Sequence, residues 1–351
     1  MSFADYEKAE RTFAKILQRD PLRLDHLEVY SNILFVMDKT ARLAFIAQVA
    51  TSTDRFRPET CLAVGNYFSK RSEHEKAIVY FRRALTLDRS YEAAWTLMGH
   101  EYLELHNTHA AIESYRRAID INRKDFRAWY GLGQAYEMLE MHLYALYYFQ
   151  RAAALCNTDP KIWQAMGHCL DKLSRWHQAI KSYKRALAAG SGRGALEGGL
   201  LNQISRPRNL DPDITHAIAL DYDKLNDTEE VRAWLELTLA QEDGIQERRE
   251  AENGASFLGA SQMSTRTVAN EEEEDIGGGT GVTITTSKAR LWLARLEFVR
   301  ATPESYKKAM ELANELCNDG YEVEEAKGLL KEIRGKMGDQ WASQANRDIM
   351  G

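Results

Sequence analysis

A ladder of small and aromatic residues repeats every 34 positions through the middle of this 351-residue chain. Trp95, Trp129 and Trp163 stand 34 apart, and Cys61 fills the same slot one period earlier. Gly65, Gly99, Gly133 and Gly167 follow four residues after each of them. Ala77, Ala111, Ala145 and Ala179 keep the same step, as do Phe81, Tyr115, Phe149 and Tyr183, and Ala84, Ala118, Ala152 and Ala186. A period of this length means stacked supersecondary units. Each unit has room for two antiparallel helices of about 12 to 14 residues and a tight turn. The glycines and alanines mark where helices approach closely, and the aromatics fill the gaps beside them. A buried aromatic removes roughly 150–250 Å² from water, worth about 4–6 kcal/mol as an upper bound. One helix pair cannot bury such a stripe alone, so stability must come from stacking.

The pattern resembles that of tetratricopeptide repeat (TPR) proteins and predicts an all-α fold, a TPR α-solenoid built as a right-handed superhelix of stacked helix pairs. Four clear units run over 58–91, 92–125, 126–159 and 160–193. Ser72 with Glu75 reads as a capping box opening a second helix, and Asp159 before Pro160 as an N-cap and first-turn pair. Residues 1–57 form degenerate units that start mid-repeat, with Ala9, Phe13, Ile16 and Pro21 and then Leu27, Tyr30 and Leu43 in register. The GSGRGALEGG stretch makes 194–211 a flexible insertion. A degenerate unit returns over 212–240 with Ala219, Tyr222, Val231 and Leu235. Residues 241–286 are expected to be an acidic, disordered insertion. A TPR-like pair and a capping helix from Val323 complete the chain over 287–351.

Charge narrows the function. The net charge is −6, and the stretch 241–275 alone carries ten acids against three bases, leaving the rest near neutrality. That balance excludes a dedicated nucleic-acid binder. Four scattered cysteines, Cys61, Cys156, Cys169 and Cys317, show no metal-ligand spacing and read as reduced, small apolar residues. No apolar run reaches the roughly 20 residues of a membrane span, and the first residues carry no secretory signal. The GGGTG stretch at Gly277 lacks the GK[ST] ending of a phosphate loop. His100, His106 and His109 lack a carboxylate or cysteine to complete a metal set. No nucleophile–base pair stands out, so no catalytic residue, cofactor or metal is expected.

The inner face of the first helices is the better place for function. Asn66, His100, Gln134 and His168 share one inward position, and Ser69, Leu103, Glu137 and Asp171 another. Thr96, Arg127, Tyr130 and Gln164 lie on the same face, with Glu101 beside His100. Interleaved amides, imidazoles, carboxylates and tyrosine suit an extended peptide whose backbone needs hydrogen bonds. The candidate partner-binding residues are Asn66, His100, Glu101, Arg127, Tyr130, Gln134, Glu137 and Asp171. The carboxylate clamp of co-chaperone TPR domains does not fit, since its slots hold Leu62, Asn66, Leu97, Arg127 and Gly131.

From Gly65 to Ala152 the similarity goes beyond a generic repeat. GNYFSKRSEHEKAIVYFRRAL, WTLMGHEYLELHNTHAAIESYRRAI and RAWYGLGQAYEMLEMHLYALYYF resemble the eighth-subunit family of the anaphase-promoting complex, or cyclosome. The residues outside the ladder carry this: Asn66, Ser72, His74, Glu75, His100, Glu101, Asn107 and the Leu132 to Gln134 run. The resemblance implies a non-catalytic scaffold in a ubiquitin ligase of the cell-division cycle, found in nucleus and cytoplasm. It implies a groove that takes the N-terminal motif of the coactivator, with Asn66 and Glu101 among the contacts, and a surface for other TPR and scaffold subunits. It implies no binding of nucleic acid or membrane. Homodimerisation is expected only with a fuller N-terminal array, because the chain starts after the array that serves it. The alternatives are another TPR adaptor, either a targeting-signal receptor or a co-chaperone, or the repeat portion of a glycosyltransferase. The latter would place more asparagines where only Asn66 stands.

Overall fold

The computed structural model describes residues 3–190, 210–242 and 282–350, and those residues form helices joined by turns, with no strand among them. They fall into two compact units, residues 1–157 and 158–351. The first holds α1 (Phe3–Arg19), α2 (Leu27–Val36), α3 (Thr40–Thr53), α4 (Pro58–Lys70), α5 (His74–Leu87), α6 (Glu92–Glu104), α7 (Thr108–Ile121), α8 (Phe126–Met138) and α9 (His142–Leu155). The second holds α10 (Pro160–Lys172), α11 (Trp176–Gly190), α12 (Pro212–Lys224), α13 (Thr228–Leu239), α14 (Ile284–Arg300), α15 (Pro303–Asp319) and α16 (Val323–Met350). This is the TPR arrangement, each helix packing on the next within its unit.

The glycine column sets the spacing of each pair. A Cβ on Gly65 would lie 2.3 Å from the Phe81 ring, on Gly99 2.6 Å from Tyr115, on Gly133 2.5 Å from Phe149 and on Gly167 2.5 Å from Tyr183. No side chain fits at such distances, so the ring of the second helix rests directly on the backbone of the first. Phe81, Tyr115 and Phe149 are fully buried, and so are all eight ladder alanines. The tryptophan column differs from the expected core filler. Trp95 and Trp129 are only half-buried, because each indole N–H must reach a partner. Trp95 donates to the Arg89 carbonyl at 3.2 Å and Trp129 to the Arg123 carbonyl at 3.0 Å.

The turns repeat without a shared residue type. Asp38, Ser72, His106, Glu140 and Ser174 all adopt φ between 57° and 59° in the left-handed region. Each closes its first helix with paired backbone bonds, as in Glu73 N–H to the Phe68 carbonyl at 3.0 Å and Asn107 N–H to the Tyr102 carbonyl at 2.8 Å. This overturns the capping box at Ser72. Ser72 is the reversal residue, and Glu73 precedes α5 without a side-chain cap. Asp159 does cap α10, accepting from Lys161 N–H with Pro160 in the first turn.

In the second unit, α12 and α13 pack together and bury Ile218, Ala219, Val231, Trp234 and Leu235. Ala294, Tyr306, Ala309, Leu329 and Ile333 join α14, α15 and α16. Most of the two expected insertions, 194–209 and 243–281, lies outside the described residues. Their expected edges belong to the helical frame. Leu210 is buried, and its N–H donates to Gln241 Oε1 at 3.0 Å. Glu242 is buried against Arg290, which also meets Asp319. Thr283 caps α14 through a reciprocal box with Thr286. These edges are tied down because ion pairs and cap bonds there satisfy groups that composition alone marks as solvated.

Replacing Gly133 with Leu should force the buried Phe149 ring off the α8 backbone and cost at least about 1–3 kcal/mol. A circular dichroism melt checks this. An unchanged midpoint would refute the contact as the determinant of spacing.

Candidate functional site

The first helices α4, α6 and α8 bring most of the candidate residues onto one face of the first unit, and each side chain there has a definite environment. Asn66 on α4 is only 2% exposed. Its amide donates to Ser31 Oγ at 2.9 Å and to Asn32 Oδ1 at 2.7 Å, both on α2. Glu101 on α6 is 4% exposed. It accepts from Ser69 Oγ at 2.7 Å and lies 2.8 Å from His74 Nδ1, reaching back to α4 and α5. Both residues therefore hold neighbouring repeats together. Their expected role as exposed peptide contacts is not what their burial allows, because the amide protons and both carboxylate oxygens are already engaged.

The next step of the face is built on α6 and α8. Thr96 Oγ1 donates to Asp125 Oδ2 at 3.1 Å, and Asp125 Oδ1 accepts from Arg127 through the backbone N–H at 3.2 Å and Nε at 3.0 Å. Asp125 is buried, while the Arg127 side chain keeps 56% of its exposure. An exposed guanidinium is thus ion-paired to a buried carboxylate. His100 meets the Tyr115 hydroxyl through Nδ1 at 2.8 Å, ring edge to ring face. Burial, and after it the Arg127 charge, pushes the His100 imidazole down to about 4, so it is neutral near pH 7. Gly131 completes this corner, since a Cβ there would lie 2.4 Å from Tyr115.

Tyr130 packs on Phe149, and its hydroxyl accepts weakly from Gln134 Nε2 at 3.4 Å. Glu137 lies half-buried further along α8. Arg127, Tyr130, Gln134 and Glu137 therefore share one helix and keep surface that a partner could touch. Asp171 belongs to the second unit. There it pairs with Lys224, which also reaches Asp221 Oδ1 at 3.3 Å. Burial and the adjacent Asp171 push the Asp221 carboxyl up.

Sequence reasoning missed Ser31, Asn32, Thr96 as an Asp125 partner, Asp125 itself and Tyr115. Asn32 was detectable, because it precedes Asn66 by one full period. Among the described residues no group of acidic, histidine or cysteine side chains could hold a metal, and no helix is long and apolar enough to cross a membrane.

Because their polar atoms are spent inside the fold, Asn66→Ala and Glu101→Ala should each lower stability by about 1–3 kcal/mol, measurable in chemical denaturation. The Glu101 change strands His74 and Ser69 and should be the larger. His100 adds a pH signature. Its folded pKa lies below the usual value of roughly 6.5, so the unfolded chain binds the extra proton first. The contribution is complete above that value and is lost as pH falls toward the folded pKa, with a slope approaching about 1.4 kcal/mol per pH unit. Urea unfolding across this range should show a steeper pH dependence for the native chain than for His100→Gln, and equal slopes would reject the neutral imidazole.

Models of the tetratricopeptide repeat match residues 58–91, 99–139 and 162–195. The chain is 59% identical over 106 residues to the anaphase-promoting complex subunit CDC23 of Saccharomyces cerevisiae, covering 30% of this chain and 17% of that protein. It is 46% identical over 109 residues to anaphase-promoting complex subunit 8 of Arabidopsis thaliana, covering 31% and 19%. With subunit 8 of Dictyostelium discoideum it shares 49% over 105 residues, covering 30% and 18%. The matched stretch spans less than a fifth of these relatives' own length. A crystal structure of the APC/C hetero-tetramer Cut9–Hcn1 aligns with a TM-score of 0.57 at 18% identity, covering 93% of this chain and 52% of that one. That likeness supports the fold alone.

Proposed function

We propose that this TPR chain, homologous to subunit 8 of the anaphase-promoting complex, is a non-catalytic scaffold of that ubiquitin ligase in nucleus and cytoplasm. In this reading it binds neighbouring TPR and scaffold subunits and the N-terminal motif of the coactivator. The observation that carries the reading is the 59% identity to the yeast subunit over 106 residues. Ladder residues alone do not reach that level, since they are shared by every protein of the repeat class.

The coactivator segment is assigned to the exposed part of the α6–α8 face. Arg127 supplies a cation for a carboxylate or a carbonyl, Gln134 supplies both an amide donor and acceptor, and Tyr130 supplies a ring beside them. Asn66 and Glu101 shape this face from beneath. The co-chaperone reading loses ground for a physical reason. Its clamp needs side chains where Leu62 is fully buried and where any Cβ on Gly131 meets Tyr115.

Affinity purification of the tagged chain should recover other TPR subunits and a cullin-like scaffold, and recovery of chaperones alone would overturn the assignment. Titration of a labelled coactivator N-terminal peptide tests the face itself. Arg127→Ala combined with Gln134→Ala should weaken binding by roughly tenfold or more, from the loss of hydrogen bonds that include a charged one. The thermal midpoint should fall somewhat, because the buried Asp125 loses its side-chain cation, so the titration is run at a temperature where both chains are folded. Equal affinity would move the peptide off α8.

A further inference from the structure

Glu101 marks a corner where the end of one first helix meets the middle of the next, and two partners satisfy it there. Ser69 Oγ lies at 2.7 Å and His74 Nδ1 at 2.8 Å. The second unit builds the same corner between α10 and α12, although residues 194–209 lengthen the connection. In the register set by Pro160 and Pro212, Asp171 stands where Ser69 does, Asp221 where Glu101 does and Trp176 where His74 does. The hydroxyl and the imidazole are both gone, and a second carboxyl group has taken the place of one of them.

What surrounds Asp221 is short of hydrogens. Its side chain is 2% exposed, and that of Asp171 is 23% exposed. Lys224, three residues further along α12, bonds Asp171 and reaches Asp221 Oδ1 at 3.3 Å, so one ammonium serves two carboxyl groups. Asp221 Oδ2 is enclosed, and no donor reaches it. Two carboxylates on one ammonium would leave a net negative charge in a site that shuts out water, with one oxygen unsatisfied. A single proton on Asp221 Oδ2 removes both penalties, because that hydroxyl then donates to Asp171. Burial and the adjacent Asp171 carry the Asp221 carboxyl up to about 7 against the pull of Lys224. Burial also raises Asp171, but the bonds from Lys224 and Asp221, with the charge of Lys172, outweigh it and hold that carboxyl low. On the other elements packed against α12, Lys184 of α11 bonds the Tyr222 hydroxyl and Glu230 of α13 accepts from Trp234 Nε1. Arg232 of α13 pairs with Glu236, and Lys288 of α14 acts on His216.

We propose that Asp171 and Asp221 share one proton, and that this proton is a latch holding α12 against α10, released as pH rises. The sign follows from linkage. Asp221 regains the ordinary carboxylate value of roughly 3.9 once the joint opens. The proton's contribution is therefore complete below that value, falls as pH rises and is gone above about 7. The latch is independent of the peptide face on α8 and does not rest on the assignment made for it.

Hydrogen exchange of the full chain, corrected for the intrinsic rate at each pH, reads the joint. Between pH 6 and pH 8 the opening of α12 should rise about tenfold, the change set by a carboxyl that titrates near 7 in the closed state alone. Asp221→Asn carries a permanent donor toward Asp171 and should abolish the rise. Should that variant not fold, Asp171→Asn offers the amide from the other side and should do the same. Carboxyl carbon NMR of aspartate-labelled protein should show one aspartate titrating near neutrality, absent from the Asp221 variant. His216, also on α12, is pushed down by burial and Lys288 and titrates on the acid side, so His216→Gln should keep the rise. Protection that ignores pH in the native chain, or an equal rise in the asparagine variant, would overturn the latch. Loss of the rise in His216→Gln would give the effect to the histidine and overturn it as well.

Discussion

Contact between an aromatic ring and a bare glycine backbone is the interaction on which the repeat depends. Phe81, Tyr115 and Phe149 have no exposed surface, and each lies where a Cβ on its glycine would sit well inside van der Waals distance. The ring sets how close the two helices of a unit come. Tyr115 does more, because its ring also fills the space over Gly131 in the following unit. One side chain then fixes the spacing within a pair and between pairs. Given that register, polar groups on successive first helices fall within bonding distance. Asn66 reaches Asn32 one period back, and Thr96 reaches the Asp125 that ends its own unit. A stack in which each unit leans on the next gains stability from neighbours more than from any single pair.

The fold was largely legible because sterics leave few choices at the close approaches. Only glycine tolerates a ring on its backbone, and only alanine fits between two packed helices, so both columns show in the residues. The reversal column does not. Its constraint is a positive φ imposed by the chain's change of direction, and Asp38, Ser72, His106, Glu140 and Ser174 meet it with no common side-chain chemistry. Ser72 followed by Glu75 imitates a cap for that reason. Insertion edges misled similarly, since Glu242 looks solvated by composition while Arg290 holds it in the core.

At the candidate site, position was legible and engagement was not. The helical period places Asn66, Glu101 and Arg127 on first helices. Apart from Asn32, which stands one repeat before Asn66, it does not reveal their partners Ser31, Ser69 and His74, which lie 27 to 35 residues away on other elements. A polar face of a repeat array divides into groups consumed by stacking and groups left for solvent or a partner. Here the polar atoms of Asn66 and Glu101 are consumed by stacking, while the Arg127 side chain on α8 stays 56% exposed. His100 marks the boundary. Its neutral ring is bonded to Tyr115, so the cationic character near that corner comes from Arg127.

Surface variation in such an array can proceed without disturbing the frame. Ser114 and Tyr148 occupy equivalent places one period apart, and the helices that carry them rest on the same ring-on-glycine contacts through Tyr115 and Phe149. The difference between them therefore resides in side chains beyond those contacts. Tyr148 stacks on Tyr136 and Trp129, which contributes about 0.5–1.5 kcal/mol beyond the area it buries. A serine forgoes that contribution. The repeat frame makes that loss local, because no ladder contact is spent on it.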